Sequence, residues 1–206
     1  MLMPMKAPTL LLRFVAVTSA LVLGACSADV TAPPAASSAV STPSMFVPSA
    51  SAKSLIGVVD GTYAVMVNPK VDQSFNLGPN HLEIPAGGIC DLARSGYGPK
   101  TWDKPCAPET EPVELTVVIK NASSAHPSID FYPAMRFNPK KTVQLFMYAP
   151  RVTQEEAKNW KMYYCPDRGG CIDESLSDKS LLTSIDYEHN VLFRRVKHFS
   201  GYTVAE

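Results

Sequence analysis

Along most of this chain, apolar and polar positions alternate in short runs separated by turn residues, and a helical period is almost absent. Gly57 to Val67, GVVDGTYAVMV, predicts two strands around an Asp60-Gly61 hairpin turn, a dipeptide suited to positive φ at a tight connection. In HLEIPAGGI, Leu82 and Ile84 share a face before Pro85 and Gly87-Gly88 force a corner. VELTVVIKN and SIDFYPAMRFNP follow, the second interrupted by Pro133, which belongs at a sheet edge or a bulge. TVQLFMYAP sets Val143, Leu145 and Met147 against Gln144, Phe146 and Tyr148. Thr153 to Asn159 is the single stretch that reads as a helical turn, with Thr153 as cap and Glu156 three residues on. WKMYYCPDRGGCIDES then predicts a strand and a Gly169-Gly170 turn, and Ile185 to Tyr187, Val191 to Val196 and His198 to Val204 are further strand candidates. Eight or so strands at this spacing predict an all-β fold, an antiparallel β-sandwich over residues 54–206. That length suits one domain with a proper core.

The first fifty residues follow another pattern. Lys6 and Arg13 precede Phe14 to Ala25, an apolar run without charge that is short of the roughly 20 residues a spanning helix needs. The run ends in Leu23-Gly24-Ala25-Cys26, which resembles the bacterial lipobox. The resemblance implies cleavage of a signal peptide, residues 1–25, before Cys26 and lipidation of that cysteine. Small residues admit the backbone to the peptidase, and the thiol is the nucleophile for the lipid. The plainer alternative is an ordinary signal peptide with Cys26 as an ordinary thiol. Residues 26–53 are almost wholly Ser, Ala, Pro, Thr and Val, with Asp29 the one charge before Lys53, and they read as a disordered tether. Ser27 stands where an Asp would retain such a lipoprotein at the inner membrane, so the resemblance implies the outer membrane or cell surface. The partner implied is therefore the membrane, through Cys26, with several acyl chains holding far more firmly than one.

Charge changes the picture little. The chain has 19 basic and 19 acidic residues, and loss of Lys6 and Arg13 with the signal leaves it slightly acidic, which argues against nucleic acid as a partner. Cysteine changes it more. With Cys26 set aside, Cys90, Cys106, Cys165 and Cys171 are an even set in an exported domain and read as disulfides. Of the three connectivities the sequential pairing is the simplest, and closing a loop of about 15 residues contributes about 3 kcal/mol in the chain-entropy model. No cysteine stands at the two-residue spacing of a zinc knuckle, and His81, His126, His189 and His198 share no ligand spacing, so neither metal nor cofactor is expected. No nucleophile elbow or Gly-rich phosphate loop occurs. Arg194, Arg195 and Lys197 read as a solvated edge. Tyr97 and Trp102, between Cys90 and Cys106, either form a contact loop for a partner or pack that loop onto the sandwich.

Three stretches taken in order resemble the ZU-five domain, a β-sandwich of netrin receptors, ankyrins and death-domain adaptors: LEIPAGGI at Leu82 to Ile89, IDFYPAMRFNPKKTVQLFMY at Ile129 to Tyr148, and HFSGY at His198 to Tyr202. The likeness spans about His81 to Val204. The extended loop from Cys90 to Cys106 departs from it, and no companion domain follows Glu206, so signalling through such partners is not implied. Some members of that family cut themselves within His-Phe-Ser. The resemblance thus implies, as an alternative to a passive strand, Ser200 as nucleophile on the Phe199 carbonyl, with His198 assisting proton transfer. Such a step needs a strained amide and donors for the oxyanion. A cut here would free only Ser200 to Glu206. The passive alternative puts His198, Ser200, Tyr202 and Val204 on one strand face and Phe199 on the core face. The expectation is a lipid-anchored cell-envelope protein with a non-enzymatic structural or interaction domain, and self-cleavage is its alternative.

Overall fold

The computed structural model describes residues 59–155, 159–167 and 169–206. The expected signal peptide, Cys26 and the expected tether lie outside them, as do Gly57 and Val58 and residues 156–158 of the expected helical turn at Thr153 to Asn159, of which Gln154, Glu155 and Asn159 form turns. The described chain is an antiparallel β-sandwich of two five-stranded sheets. The first contains β1 (Gly61–Val67), β4 (Val113–Lys120), β5 (Ser128–Arg136), β10 (His198–Ala205) and β7 (Lys161–Cys165), in that spatial order. The second contains β2 (Gln73–Leu77), β3 (Asn80–Ile84), β6 (Val143–Tyr148), β9 (Val191–Val196) and β8 (Ser184–Asp186). One short helix, α1 (Leu92–Ser95), and two 3₁₀ turns, Glu174–Leu176 and Lys179–Leu181, lie in the connections.

The core forms where the two inner faces meet, as the alternation dictates. Val65 and Val67 of β1 contribute to it, with Leu115, Val117 and Ile119 of β4 and Val143, Leu145 and Met147 of β6. Asp60-Gly61 is not a hairpin turn: Gly61 opens β1, and Asp60 Oδ1 accepts the Ala122 N–H at 2.9 Å, tying down the turn after β4. Sequence patterning also missed β2, whose run QSFNL carries only two large apolar residues.

Pro133 lies in a central strand, which a proline tolerates only where the ladder is broken. It is broken there. Phe199 pairs with Met135 and Gly201 with Asp130, so Ser200 alone stands opposite the four residues Phe131 to Ala134. This wide bulge in β5 meets β10 at the Phe199-Ser200 bond. Ladder pairing with β7 begins one residue later, at Gly201 opposite Cys165.

Both disulfides join sequential partners, Cys90 to Cys106 and Cys165 to Cys171. They mark a domain made for an oxidising compartment. The second staples the end of β7 to its return, where Tyr164 and Ile172 exchange two backbone hydrogen bonds.

Candidate functional site

The His198-Phe199-Ser200 segment begins β10 and is covered on both sides. Phe199 faces the core, stacked on Phe131 with ring centroids 4.0 Å apart and edge-on to Phe137 at 4.5 Å. The opposite side is closed by the loop between Cys90 and Cys106 and by the segment after Cys171. The expected division of faces therefore fails. His198, Phe199, Ser200, Tyr202 and Val204 are all buried, and Tyr202 and Val204 belong to the core beside Phe199.

Three buried cations hold these covers in place. Arg136, at the end of β5, donates to the Ser95 carbonyl at 2.7 Å and to the Lys104 carbonyl, gripping both ends of the loop that carries Tyr97 and Trp102. Lys197 pairs with Asp103 of the same loop and with Asp178. Arg194 pairs with Glu174 and donates to the Met162 carbonyl at 2.9 Å. Arg194 and Lys197 are thus not a solvated edge: β9 is flanked by β6 and β8, and both side chains are buried. Arg195, half-buried, donates to the Pro139 carbonyl at 2.7 Å.

His198 is fully buried, and its Nε2 lies 2.8 Å from Glu174 Oε1. Trp102 stacks on the imidazole at 3.8 Å between centroids, and Tyr164 meets it edge-on at 4.3 Å. Burial, the largest influence on His198, lowers its pKa despite Glu174, so the neutral ring is favoured. Burial alone would raise the Glu174 carboxyl, but His198 and Arg194 outweigh it and hold the group below the usual carboxylate range. The arrangement is a buried ion pair, Arg194 with Glu174, to which a neutral histidine donates.

Tyr97 donates its hydroxyl to the Phe199 carbonyl at 2.9 Å. Burial, reinforced by Tyr164, raises its pKa, so the phenol keeps its proton. Ser200 Oγ turns toward the Cys165 carbonyl at 3.4 Å. Tyr202 donates to the His198 carbonyl at 2.7 Å. Of the two expectations for the disulfide loop, packing on the sandwich is the one the geometry has: Trp102 lies against His198, and Tyr97, though 40 % exposed, is tied to β10.

Structure thus brings Tyr97, Trp102, His198, Phe199 and Ser200 together, with Cys165 behind Ser200. Sequence reasoning missed Glu174 and Arg136 and read Arg194 as a surface cation, although all three hold the arrangement. Glu174 sits in the polar run DESLSD, which reads as an exposed turn. Two open clefts elsewhere, one lined by Asp72, Glu83 and Thr142 and one by Trp160, Thr183 and Tyr187, contain none of the triplet. No family model, no curated protein and no solved structure matches this chain.

Proposed function

We propose that this is a lipid-anchored protein of the cell envelope, held by Cys26 at the outer membrane or cell surface, whose ZU-five-like sandwich serves as a non-enzymatic structural or interaction module. The observation that carries the reading is the division of the five cysteines. Four are consumed by two disulfides inside the domain, leaving Cys26 alone after an apolar run and two small residues. The tether of Ser, Ala and Pro then sets the domain off from the lipid. Within the domain, the polar side chains of the triplet are engaged in packing: His198 holds the covering segments through Glu174 and Trp102, and Ser200 turns to the Cys165 carbonyl of neighbouring β7. Replacing Cys26 with Ser should move the protein from the membrane pellet to the soluble fraction. An unchanged share in the pellet overturns lipid anchoring at that residue.

A second reading, self-cleavage between Phe199 and Ser200, is favoured by one observation, the Tyr97 hydroxyl on the Phe199 carbonyl. Ser200 Oγ would add to that carbon, and the C–N bond would break as the Ser200 nitrogen takes a proton, leaving an ester. Water would then release a Phe199 carboxylate and a free Ser200. On this reading the Tyr97 hydroxyl would stabilise the negative charge that develops on the carbonyl oxygen, a contribution worth roughly a hundredfold in rate. On this reading the denatured protein lacks the mass of Ser200 to Glu206, Ser200→Ala restores it and Tyr97→Phe slows its loss. A full-mass chain after prolonged incubation ends the idea.

A further inference from the structure

A sandwich of two five-stranded sheets has four edge strands, and proteins generally blunt such edges with short length, proline, charge or a covering segment. Three edges here are blunted. β7 is covered by the Tyr164–Ile172 pairing and by the Met162 N–H bonded to Thr183 Oγ1 at 3.0 Å. β8 is three residues long. β2 shows polar Ser74 and Asn76 outward, next to Asp72.

β1 has none of these devices. It runs for seven residues, GTYAVMV, without proline, charge or bulge, and its register with β4 is continuous from Gly61 opposite Ile119 to Val67 opposite Val113. Among the described residues nothing pairs with its outer edge. The apolar side chains beside that edge are also incompletely covered: Tyr63 and Val65 of β1, Phe75 of β2 and Val113 at the start of β4 pack on the core yet stay partly exposed. Met66, on the outer face, is 56 % exposed.

We infer that β1 is a self-association edge, at which two copies of this chain join antiparallel about a two-fold axis through Ala64 and merge their five-stranded sheets into one of ten. The sequence of β1 is suited to itself. A centre at Ala64 puts Gly61 opposite Val67, Thr62 opposite Met66 and Tyr63 opposite Val65, so all seven residues pair. Each outward side chain then meets an outward one, and each inward one an inward one, as a continuous sheet requires. The central inward pairs, Tyr63 with Val65, are aromatic against β-branched, a favourable cross-strand combination, and they cover the partly exposed Tyr63 and Val65 of both copies. A two-fold contact of this kind is self-limiting, since it consumes the edge it uses. The inference extends the reading of the domain as an interaction module but does not depend on lipidation, because its test is made without the anchor.

Sedimentation velocity of the full chain carrying Cys26→Ser should show a dimer. Ala64→Lys places two like charges directly opposite at the axis, while in the monomer the side chain is exposed, so it should weaken association at least tenfold with an unchanged circular dichroism spectrum. Ala64→Cys should cross-link the dimer under mild oxidation, because residues on the axis face each other. Met66→Cys should not, since its two copies would stand more than about 13 Å apart along the strands. A chain that stays monomeric at high micromolar concentration overturns the inference. So does a dimer that survives Ala64→Lys or that cross-links through Met66→Cys and not Ala64→Cys.

Discussion

Replacing Glu174 with Ala lowers the unfolding free energy by about 3–5 kcal/mol, the range for removing one partner of a buried ion pair. The size follows from what is left behind. Arg194 is 2 % exposed and keeps the Met162 carbonyl and the face of the Tyr202 ring, 5.4 Å from its guanidinium carbon, but no counter-charge. His198 loses the partner of Nε2 while Trp102 and Tyr164 still exclude water from it. Glu174→Gln should fall between the two, retaining hydrogen bonds but not the charge. The double substitution Glu174→Ala with Arg194→Met should recover part of the loss, since it removes the stranded cation with its partner. Denaturant unfolding reads all three, provided the slope with denaturant stays constant. A loss under about 1 kcal/mol for Glu174→Ala, with no recovery in the double variant, would show that the pair does not hold this side of the sandwich.

Phe199→Ala should cost a similar amount, about 3–5 kcal/mol, by a different route. Phe199 is fully buried between the rings of Phe131 and Phe137, in a region where β5 bulges and the backbone ladder is already interrupted. Packing carries what hydrogen bonds do not, so the cavity falls where the sheet can least absorb it. An exposed outer-face substitution such as Thr62→Ala should stay within about 0.5 kcal/mol. Equal, small losses for the two would mean that β10 is held by its ladder alone. Together the two substitutions separate the apolar side of the His-Phe-Ser segment from its ionic side.

The difference between those sides explains what could be read from the sequence. Strands with one covered face announce themselves: β6 alternates Val143, Leu145 and Met147 inward, and β4 does the same with Leu115, Val117 and Ile119. The sequential disulfides were legible for a related reason, since short closures need no knowledge of the fold. Periodicity reports one neighbour per face, however, and from Arg194 to Tyr202 the outward face has a neighbour too. There the loop from Cys90 to Cys106 and the segment after Cys171 lie over the sheet, so Arg194 and Lys197 look like surface cations in sequence and are buried in structure. Glu174 could not be matched to them, because its 20 and 24 residues of separation from Arg194 and His198 carry no local pattern. β2 was missed for the opposite reason, as too few of its side chains are apolar to mark a face. Of the sheet edge or bulge expected at Pro133 the structure has the bulge, but it interrupts a central strand, which only the pairing of β10 on its far side reveals.

The same segment decides between the two proposals for function. A triplet engaged wholly in packing leaves an intact chain, whereas a reactive one leaves a cut. The anchor, for its part, leaves a mass on Cys26 that no unlipidated chain carries. Mass spectrometry of the native protein, extracted from membranes and denatured, tests both at once. Lipid anchoring without self-cleavage predicts a chain beginning at Cys26, heavier by its acyl groups and continuous through Glu206. An unmodified Cys26, or the absence of Ser200 to Glu206 from the measured mass, would contradict it.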